Sequence, residues 1–221
     1  MINILELFAG SRSIGNEADK MGGFNVFSID VKPFKNIDLI QDIEFLKPSQ
    51  IPFKPHFIWA SPPCTSFSIC AISHHRNGQK PKSDFAKKTD RMILNVLKLI
   101  KFYNCVFFIE NPVGMLRKMQ YMYNIDRVKL TYCKYGALNM KPTDIFSNDL
   151  YSLFNPNGWQ ARPPCFNGNY KCDHEPAPRG SRSGTQGIKG NFNRSKIPPL
   201  LCKSILTHIK KTQKTILTTK I

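Results

Sequence analysis

The chain has 221 residues, of which 41% are hydrophobic and 21% charged, which suits one globular domain with a small additional subdomain. No apolar stretch approaches the roughly 20 residues of a membrane span. The N-terminus lacks the basic region and cleavage site of a secretory signal, so neither a membrane protein nor an exported protein is expected. The net charge of +17 instead predicts a polyanionic partner, most often nucleic acid for a compact basic domain. The seven cysteines, an odd number, indicate reduced thiols in a cytoplasmic protein.

Residues 1–150 alternate short apolar runs with helical patterns, which is typical of a parallel α/β sheet. The pattern predicts strands at 2–8, 25–29, 37–40, 56–60 and 106–109, with shorter closing strands at 128–132 and 145–146. Helices are predicted at 14–21 and from Thr89 onward. Residues 73–88 are polar and charged, and they predict a mobile loop before the second helix.

The composition changes after residue 150. Residues 151–193 are dominated by Gly, Pro, Asn, Ser, Cys and Arg, and they predict a small loop-rich region without long helices. Residues 194–221 predict a helix at 200–209 that packs back on the main domain, followed by a basic tail. We expect Lys210, Lys211 and Lys214 to lie in solvent on a frayed helix end.

A glycine-containing turn follows the first predicted strand. Glycines at such a turn let the backbone approach a ligand, and Gly10 and Gly15 stand there. Asp30 and Asp42 follow the second and third predicted strands, where acidic side chains can bind ribose hydroxyls and a base amino group. The pattern is also common in turns that are only structural, so both interpretations stay open at this point.

A cysteine and a glutamate each follow a later strand of the predicted sheet. Cys64 comes after the strand at 56–60 and two prolines, which stop the strand and fix an exposed turn. Glu110 comes after the strand at 106–109. Because the carboxyl ends of parallel strands open on one edge of a sheet, we expect both side chains in one cleft. A thiol and a carboxyl group so placed suit nucleophilic attack coupled to proton donation.

Three segments together resemble a known family. The sequences Leu-Glu-Leu-Phe-Ala-Gly at 5–10, Pro-Cys-Thr-Ser-Phe-Ser at 63–68 and Glu-Asn-Pro at 110–112, in this order, are similar to those of the C5-cytosine DNA methyltransferases. The resemblance covers residues 1–148 and the last helix, and the compact form is that of bacteriophages and mobile elements. It implies a Rossmann-like, S-adenosylmethionine-dependent methyltransferase sheet with a small loop-rich target-recognition insertion. It also implies a monomer in the cytoplasm of a bacterial or bacteriophage-infected cell.

The resemblance implies a role for each matching residue. Cys64 would add to C6 of cytosine, protonated Glu110 would engage N3, and Asn111 would belong to the same catalytic set. The methyl donor would be S-adenosylmethionine, and the residues implied to hold it are Phe8, Gly10, Asp30, Asp42 and Pro62.

Nucleic acid would be bound over the same edge, with the target base flipped out of the duplex. Ser68 lies in the loop at 66–88 that would close over the base, and Lys141, Arg179 and Arg182 are the other candidates for contact with DNA. Arg76, also in this loop, is a candidate for contact with the DNA backbone. Its neighbours His74 and His75 are interpreted as solvated loop residues.

The chain departs from the family where an Arg-X-Arg pair is usual. The equivalent stretch begins at Lys141, which offers a point charge rather than a planar fork, and contains no arginine. The late asparagine-containing motif is replaced by residues 194–198. DNA is therefore the expected substrate, but two alternatives stay open: an RNA cytosine methyltransferase, and an inactive relative that binds nucleic acid.

The loop-rich region contains a set of side chains that suit a metal ion. Cys165, Cys172 and His174 lie close together in a segment with little hydrophobic core, and Cys133 is the candidate fourth ligand. Three or four such ligands suit one structural Zn²⁺. Two free thiols with a surface histidine are the alternative.

Overall fold

The structure, a computed structural model, describes residues 1–176, 188 and 190–218. Arg179 and Arg182 lie outside the described residues, so their predicted contacts with DNA stay predictions. No helix in the described part of the chain has both the length and the apolar character that crossing a bilayer requires.

Seven strands form one mixed sheet with helices on both sides. The strands of this sheet are β1 (Ile2–Leu7), β2 (Phe24–Asp30), β3 (Leu39–Ile40), β4 (Phe57–Ala60), β7 (Val106–Pro112), β8 (Arg127–Thr131) and β9 (Pro142–Ser147), and β5 (Arg76–Asn77) and β6 (Lys80–Pro81) form a separate hairpin. The helices are α1 (Ser13–Met21), α2 (Ile72–His75), α3 (Asp84–Tyr103), α4 (Asn191–Ser195) and α5 (Pro199–Thr218).

The order of the main sheet is β3-β2-β1-β4-β7-β9-β8. The first five of these strands pair in parallel, and β9 runs antiparallel between β7 and β8. The predicted α/β class is therefore confirmed. The carboxyl ends of β1, β2, β4 and β7 meet at one edge, where parallel sheets bind ligands.

Successive strand residues enter two separate cores. Leu5 and Leu7 of β1 pack with α3 on one face, whereas Ile4 packs with α1 and α5 on the other. Both faces of the sheet are covered, which explains why its central strands read as continuous apolar runs. Within the loop-rich region, the described residues 151–176 contain no helix, and a β-bridge joins Trp159 to Leu150. Helix α4 begins at the end of this region.

The fifth predicted strand, at 106–109, is shorter than the strand in the structure. Its apolar run ends at Ile109, but β7 continues to Pro112 because β9 pairs with it beyond the end of β4. Glu110 and Asn111 are paired with Ile145 and Asp144 of β9 and are therefore held in regular backbone rather than in a loop.

The prediction of a mobile loop over 73–88 was wrong. Helix α3 begins at Asp84, because the side chain of Ser83 accepts a hydrogen bond from Ala86 N at 3.1 Å and caps the helix six residues before Thr89. The preceding residues form α2 and the hairpin β5–β6. Arg76 is 3% exposed and is bound by Asp90, so the predicted contact of Arg76 with the DNA backbone is also wrong.

The C-terminal helix is longer than predicted and does not fray at Lys210. It continues from Pro199 to Thr218. Lys210 Nζ donates to the carbonyl oxygen of Met21 at 3.1 Å and lies 5.0 Å from the centre of the Phe24 ring. The amphipathic stem of this lysine thus extends the contact between α5 and the first βαβ unit.

Candidate active site

Cys64 lies in a tight turn beyond β4. Residues 61–63 lead out of the strand, and Cys64 precedes the 3-10 turn Thr65–Phe67. The amide of Asn111 donates to the carbonyl oxygen of Pro62 at 3.0 Å, which fastens this turn to β7. The loop after β7 packs closely against the same turn. A Cβ atom at Gly114 would collide with the carbonyl oxygen of Phe67. The backbone around Cys64 is therefore fixed relative to Glu110.

The thiol of Cys64 is electrostatically coupled to Glu110. Burial raises the pKa of Cys64 above its ordinary value, and the negative charge of Glu110 raises it further. The positive charge of Lys141 acts in the opposite direction. The sequence predicted that the ends of β4 and β7 would bring Cys64 and Glu110 together, and the structure places them within range of each other's charge.

Glu110 is buried at 4% exposure between two donors. The hydroxyl of Tyr132 donates to Glu110 Oε1 at 2.6 Å, and Lys141 Nζ lies 3.7 Å from the same oxygen. Burial and the charge of Glu110 hold the pKa of Tyr132 well above its ordinary range, so the hydroxyl stays a donor. The carboxyl group is thus oriented through its Oε1 atom.

Lys141 belongs to this buried group rather than to an exposed surface. It is 7% exposed, donates to the carbonyl oxygen of Arg194 at 3.1 Å and lies 4.5 Å from the centre of the Tyr132 ring. Its φ of 26° is unusual for a side chain other than glycine, which marks a backbone held by its surroundings. The charged group of Lys141 therefore lies beside Glu110, and the predicted contact of Lys141 with nucleic acid stays a prediction.

The glycine turn after β1 is hydrogen-bonded to the side chain of Asp30. Gly10 has a φ of 50°, which favours glycine, and its N–H donates to Asp30 Oδ2 at 2.9 Å. The other carboxylate oxygen accepts from Lys32 N at 3.0 Å. Phe8 precedes the turn and is half-buried against the core, also with a positive φ, of 55°. Phe8, Gly10 and Asp30 are thus brought together at the edge of the sheet.

A buried glutamate supports this turn from below and was not anticipated from the sequence. Glu6 is 1% exposed and accepts hydrogen bonds from Ile14 N, Gly15 N and Ser28 Oγ at 3.1, 3.3 and 2.8 Å. Burial raises the pKa of Glu6 to about 7, opposed by these hydrogen bonds and by the charge of Arg12. The carboxyl group satisfies the first N–H groups of α1 and so holds the helix start beneath the turn.

Asp42 is half-buried and already has two partners. Its Oδ1 accepts from Glu44 N at 3.0 Å and caps the 3-10 turn Ile43–Phe45. Its Oδ2 forms an ion pair with Lys88 at 2.6 Å. The side chain is therefore fixed after β3, where the sequence placed it, and its partner Lys88 comes from α3.

Comparison with known proteins decides the family. A model of C-5 cytosine-specific DNA methylases matches residues 2–135 of this chain, more than half of its length. The chain belongs to this family. The match includes both Cys64 and Glu110, and the family resemblance predicted from the sequence is confirmed.

The relatives are distant. A probable DNA (cytosine-5)-methyltransferase of Frog virus 3 (isolate Goorha) is 27% identical over 143 residues, which are 61% of this chain and 64% of that protein. The chain thus spans just under two thirds of the length of this relative. Among solved structures, the methyltransferase EhMeth of Entamoeba histolytica has a TM-score of 0.58 at 12% identity, covering 96% of this chain and 99% of that one. A DNMT2 mutant of Spodoptera frugiperda has a TM-score of 0.52 at 18% identity, covering 74% and 56%.

The likeness to these structures establishes the fold. Their shared feature with this chain is the mostly parallel, seven-stranded sheet of S-adenosylmethionine-dependent methyltransferases, so the predicted Rossmann-like fold is confirmed. The stretch in which the resemblance implies an Arg-X-Arg pair lies at the start of β9. Here Asp144 stands in that stretch and accepts hydrogen bonds from Arg117 Nε at 2.7 Å and Arg127 Nη1 at 3.0 Å.

Tyr132, like Glu6, was not anticipated from the sequence. It lies in the segment that resembles the family, but a tyrosine at the end of a strand is usually a core residue. Only the fold shows that its hydroxyl reaches Glu110. A cleft of ≈190 Å³ opens beside Tyr132, and its basic lining residues, Arg194 and Lys196, come from α4 and the segment after it.

Ser68 ends the turn that begins at Cys64. It is half-buried, and its Oγ accepts from Cys70 N at 3.4 Å. Arg76 supports this turn from the other side, because its Nε donates to the carbonyl oxygen of Ser66 at 2.9 Å and its guanidinium lies 4.4 Å from the centre of the Phe67 ring. The segment over the active site is thus held by a buried arginine.

Four predicted metal ligands meet beside β8. One ligand atom from each of Cys133, Cys165, Cys172 and His174 lies within 4.8 Å of the others. Cys165 Sγ and His174 Nδ1 are 3.8 Å apart, and ligands around a tetrahedral Zn²⁺ lie about 3.8 Å from one another. His174 is 5% exposed, and among the described residues its Nε2 has no hydrogen-bond partner. We call these four side chains the metal cluster.

Proposed function

We propose that this protein transfers a methyl group to C5 of cytosine in DNA. The observation that carries the proposal is that Cys64 lies within range of the charge of Glu110, a buried carboxyl group oriented by Tyr132. The chain also belongs to the cytosine methylase family. DNA is preferred to RNA because both the family description and the name of the viral relative specify DNA.

The chemistry follows from the two side chains. The thiolate of Cys64 adds to C6 of a cytosine flipped out of the duplex, while Glu110 in its protonated form donates its proton to N3 and prevents negative charge from building up in the ring. C5 thereby becomes nucleophilic and accepts the methyl group. Loss of the C5 proton to a base then reforms the ring double bond and expels Cys64, while N3 returns its proton to Glu110.

S-adenosylmethionine fits the edge of the sheet beside the glycine turn, and when bound it would supply the electrophilic methyl group. Each oxygen of Asp30 accepts one backbone N–H, and each keeps a lone pair for a ribose hydroxyl. Phe8, Gly10, Asp42 and Pro62 complete the proposed donor site around Asp30. The enzyme would work as a cytoplasmic monomer.

An assay of the purified protein tests the proposal directly. With donor carrying a tritiated methyl group, double-stranded DNA should gain label, and nucleoside analysis should find it in 5-methylcytosine. Transfer RNA is the matched second substrate. Labelling of RNA alone would overturn the choice of DNA, and labelling of neither, with the donor still bound, would identify a binding protein without activity.

Asp42→Asn should weaken binding of S-adenosylmethionine by about tenfold. The amide oxygen can still cap the turn at Glu44, but the carboxylate that would accept from the adenine amino group is lost. Isothermal titration calorimetry measures the affinity, and the melting temperature checks the fold. Lys88→Gln is the control, because it breaks the ion pair to Asp42 and leaves the carboxylate in place. Equal affinity of Asp42→Asn and the wild type would rule out a role of Asp42 in binding the donor.

We also propose that the metal cluster holds one Zn²⁺. Three sulfur atoms and one imidazole nitrogen are a common structural zinc set. Elemental analysis of protein purified without chelator should find about one zinc per chain. Cys172→Ala should lose it, whereas Cys70→Ala, which removes an exposed thiol outside the cluster, should keep it. Wild-type protein without zinc, with residues 161–176 still protected from proteases, would show that the cluster is only packed thiols.

A further inference from the structure

The metal cluster is attached to the chain on both sides of Tyr132. Cys133 follows Tyr132 directly in the 3-10 turn Tyr132–Tyr135. On the other side, Thr131 Oγ1 accepts from Cys165 N at 2.8 Å and lies 3.5 Å from Cys133 Sγ. The residues immediately before and after Tyr132 are therefore both attached to the cluster, while the tyrosine hydroxyl donates to Glu110.

The segment that supplies the other three ligands has no regular secondary structure and little buried apolar surface. Residues 162–175 contain no helix or strand, and their large side chains Phe166 and Tyr170 are 64% and 89% exposed. The backbone of this segment attaches to residues 131–138: besides the bond to Thr131, Arg162 N donates to Tyr135 Oη at 2.9 Å and Glu175 N to Leu138 O at 2.8 Å. A metal that orders this segment therefore stabilises the stretch that carries Tyr132.

Tyr132 in turn has the shortest contact with the catalytic carboxyl group. Its hydroxyl lies 2.6 Å from Glu110 Oε1, against 3.7 Å for Lys141 Nζ. In the part of the chain that the structure describes, Tyr132 and Lys141 both contact the Glu110 carboxyl group and orient it. A displacement of the turn by about 1 Å would leave Glu110 misaligned for proton transfer, and such misplacements cost up to about 10²-fold in rate.

We infer that the metal cluster supports catalysis through Tyr132, which is a positioning residue for Glu110. The metal clamps the turn Tyr132–Tyr135 between β8 and the segment 162–175, and the clamped tyrosine holds the carboxyl group in place. This inference rests on the proposed methyl transfer for its effect on rate. The zinc ion itself takes no part in the reaction.

A double-mutant cycle tests the connection. Cys172→Ala removes a ligand far along the chain from Tyr132, and Tyr132→Phe removes the hydroxyl but keeps the ring. Each should lower kcat by about 10²-fold and leave KM for the donor unchanged. Because both act through one hydrogen bond, the double variant should be no slower than either single one. Lys171→Ala, an exposed neighbour of Cys172, is the control and should behave as wild type.

Three further measurements complete the test. Cys172→His, which offers a nitrogen ligand, should restore both zinc and kcat. Tyr132→Phe should keep its zinc. Deuterium exchange over residues 131–136 should rise in Cys172→Ala and after removal of zinc from the wild type by a chelator, and fall again when zinc is returned.

Two results would overturn the inference. One is a metal-free Cys172→Ala enzyme with wild-type kcat, and the other is a double variant whose losses multiply. If the wild type methylates neither DNA nor RNA, the proposed function fails. The claim that the metal fixes the turn Tyr132–Tyr135 can still be tested. In that case unchanged deuterium exchange over 131–136 after loss of zinc rejects it, and increased exchange supports it.

Discussion

DNA containing 5-fluorocytosine should trap the enzyme covalently through Cys64. Fluorine at C5 cannot leave as a cation, so the reaction stops after methyl transfer with the sulfur still bonded to C6. The adduct should survive denaturing electrophoresis, require the methyl donor, and map to Cys64 by mass spectrometry. Cys64→Ser should form no adduct and should lose methyl transfer by at least about 10³-fold, because a serine hydroxyl is a far weaker nucleophile at neutral pH.

Cys70→Ser is the matched control for this experiment. Cys70 is an exposed thiol six residues beyond Cys64, outside the buried turn, and its removal should leave trapping intact. A trapped species on Cys70, or an active enzyme that is never trapped, would show that Cys64 is not the nucleophile.

Glu110→Gln should slow methyl transfer by about 10²- to 10⁴-fold, because an amide cannot donate the proton that N3 needs. The same substitution should make the Cys64 thiol more acidic. Burial and the charge of Glu110 both raise the pKa of Cys64, so removal of the charge lowers it and increases the thiolate fraction at a given pH. The midpoint of Cys64 alkylation by iodoacetamide, followed by peptide mass spectrometry, should therefore move to lower pH.

Lys141→Gln provides the opposite control. The positive charge of Lys141 lowers the pKa of Cys64, so its removal should shift the alkylation midpoint to higher pH. Shifts of opposite sign in these two variants would exclude a general loosening of the site, which would make Cys64 more reactive in both. An alkylation midpoint that stays unchanged in Glu110→Gln would contradict the coupling between the two side chains.

The sequence alone was sufficient to predict the α/β class, the family, and the edge of the sheet at which Cys64 and Glu110 lie. The reason is that these depend on local patterns. An apolar run predicts a buried strand, and the prolines before Cys64 predict where that strand ends. In a parallel sheet the carboxyl ends of all strands lie at the same edge. The grouping of Cys165, Cys172 and His174 was likewise apparent, since the three are close along the chain.

Other features depend on contacts between residues distant in sequence, and only the tertiary structure decided them. Arg76 was predicted to contact the DNA backbone, but the fold buries its guanidinium group over Phe67 and pairs it with Asp90. Strand β7 reaches Pro112 because β9, thirty residues later, supplies its hydrogen bonds. Tyr132 has no local signal that separates a core tyrosine from a catalytic partner. Its role arises because β8 and β7 flank the same strand β9, which brings the tyrosine hydroxyl within 2.6 Å of Glu110.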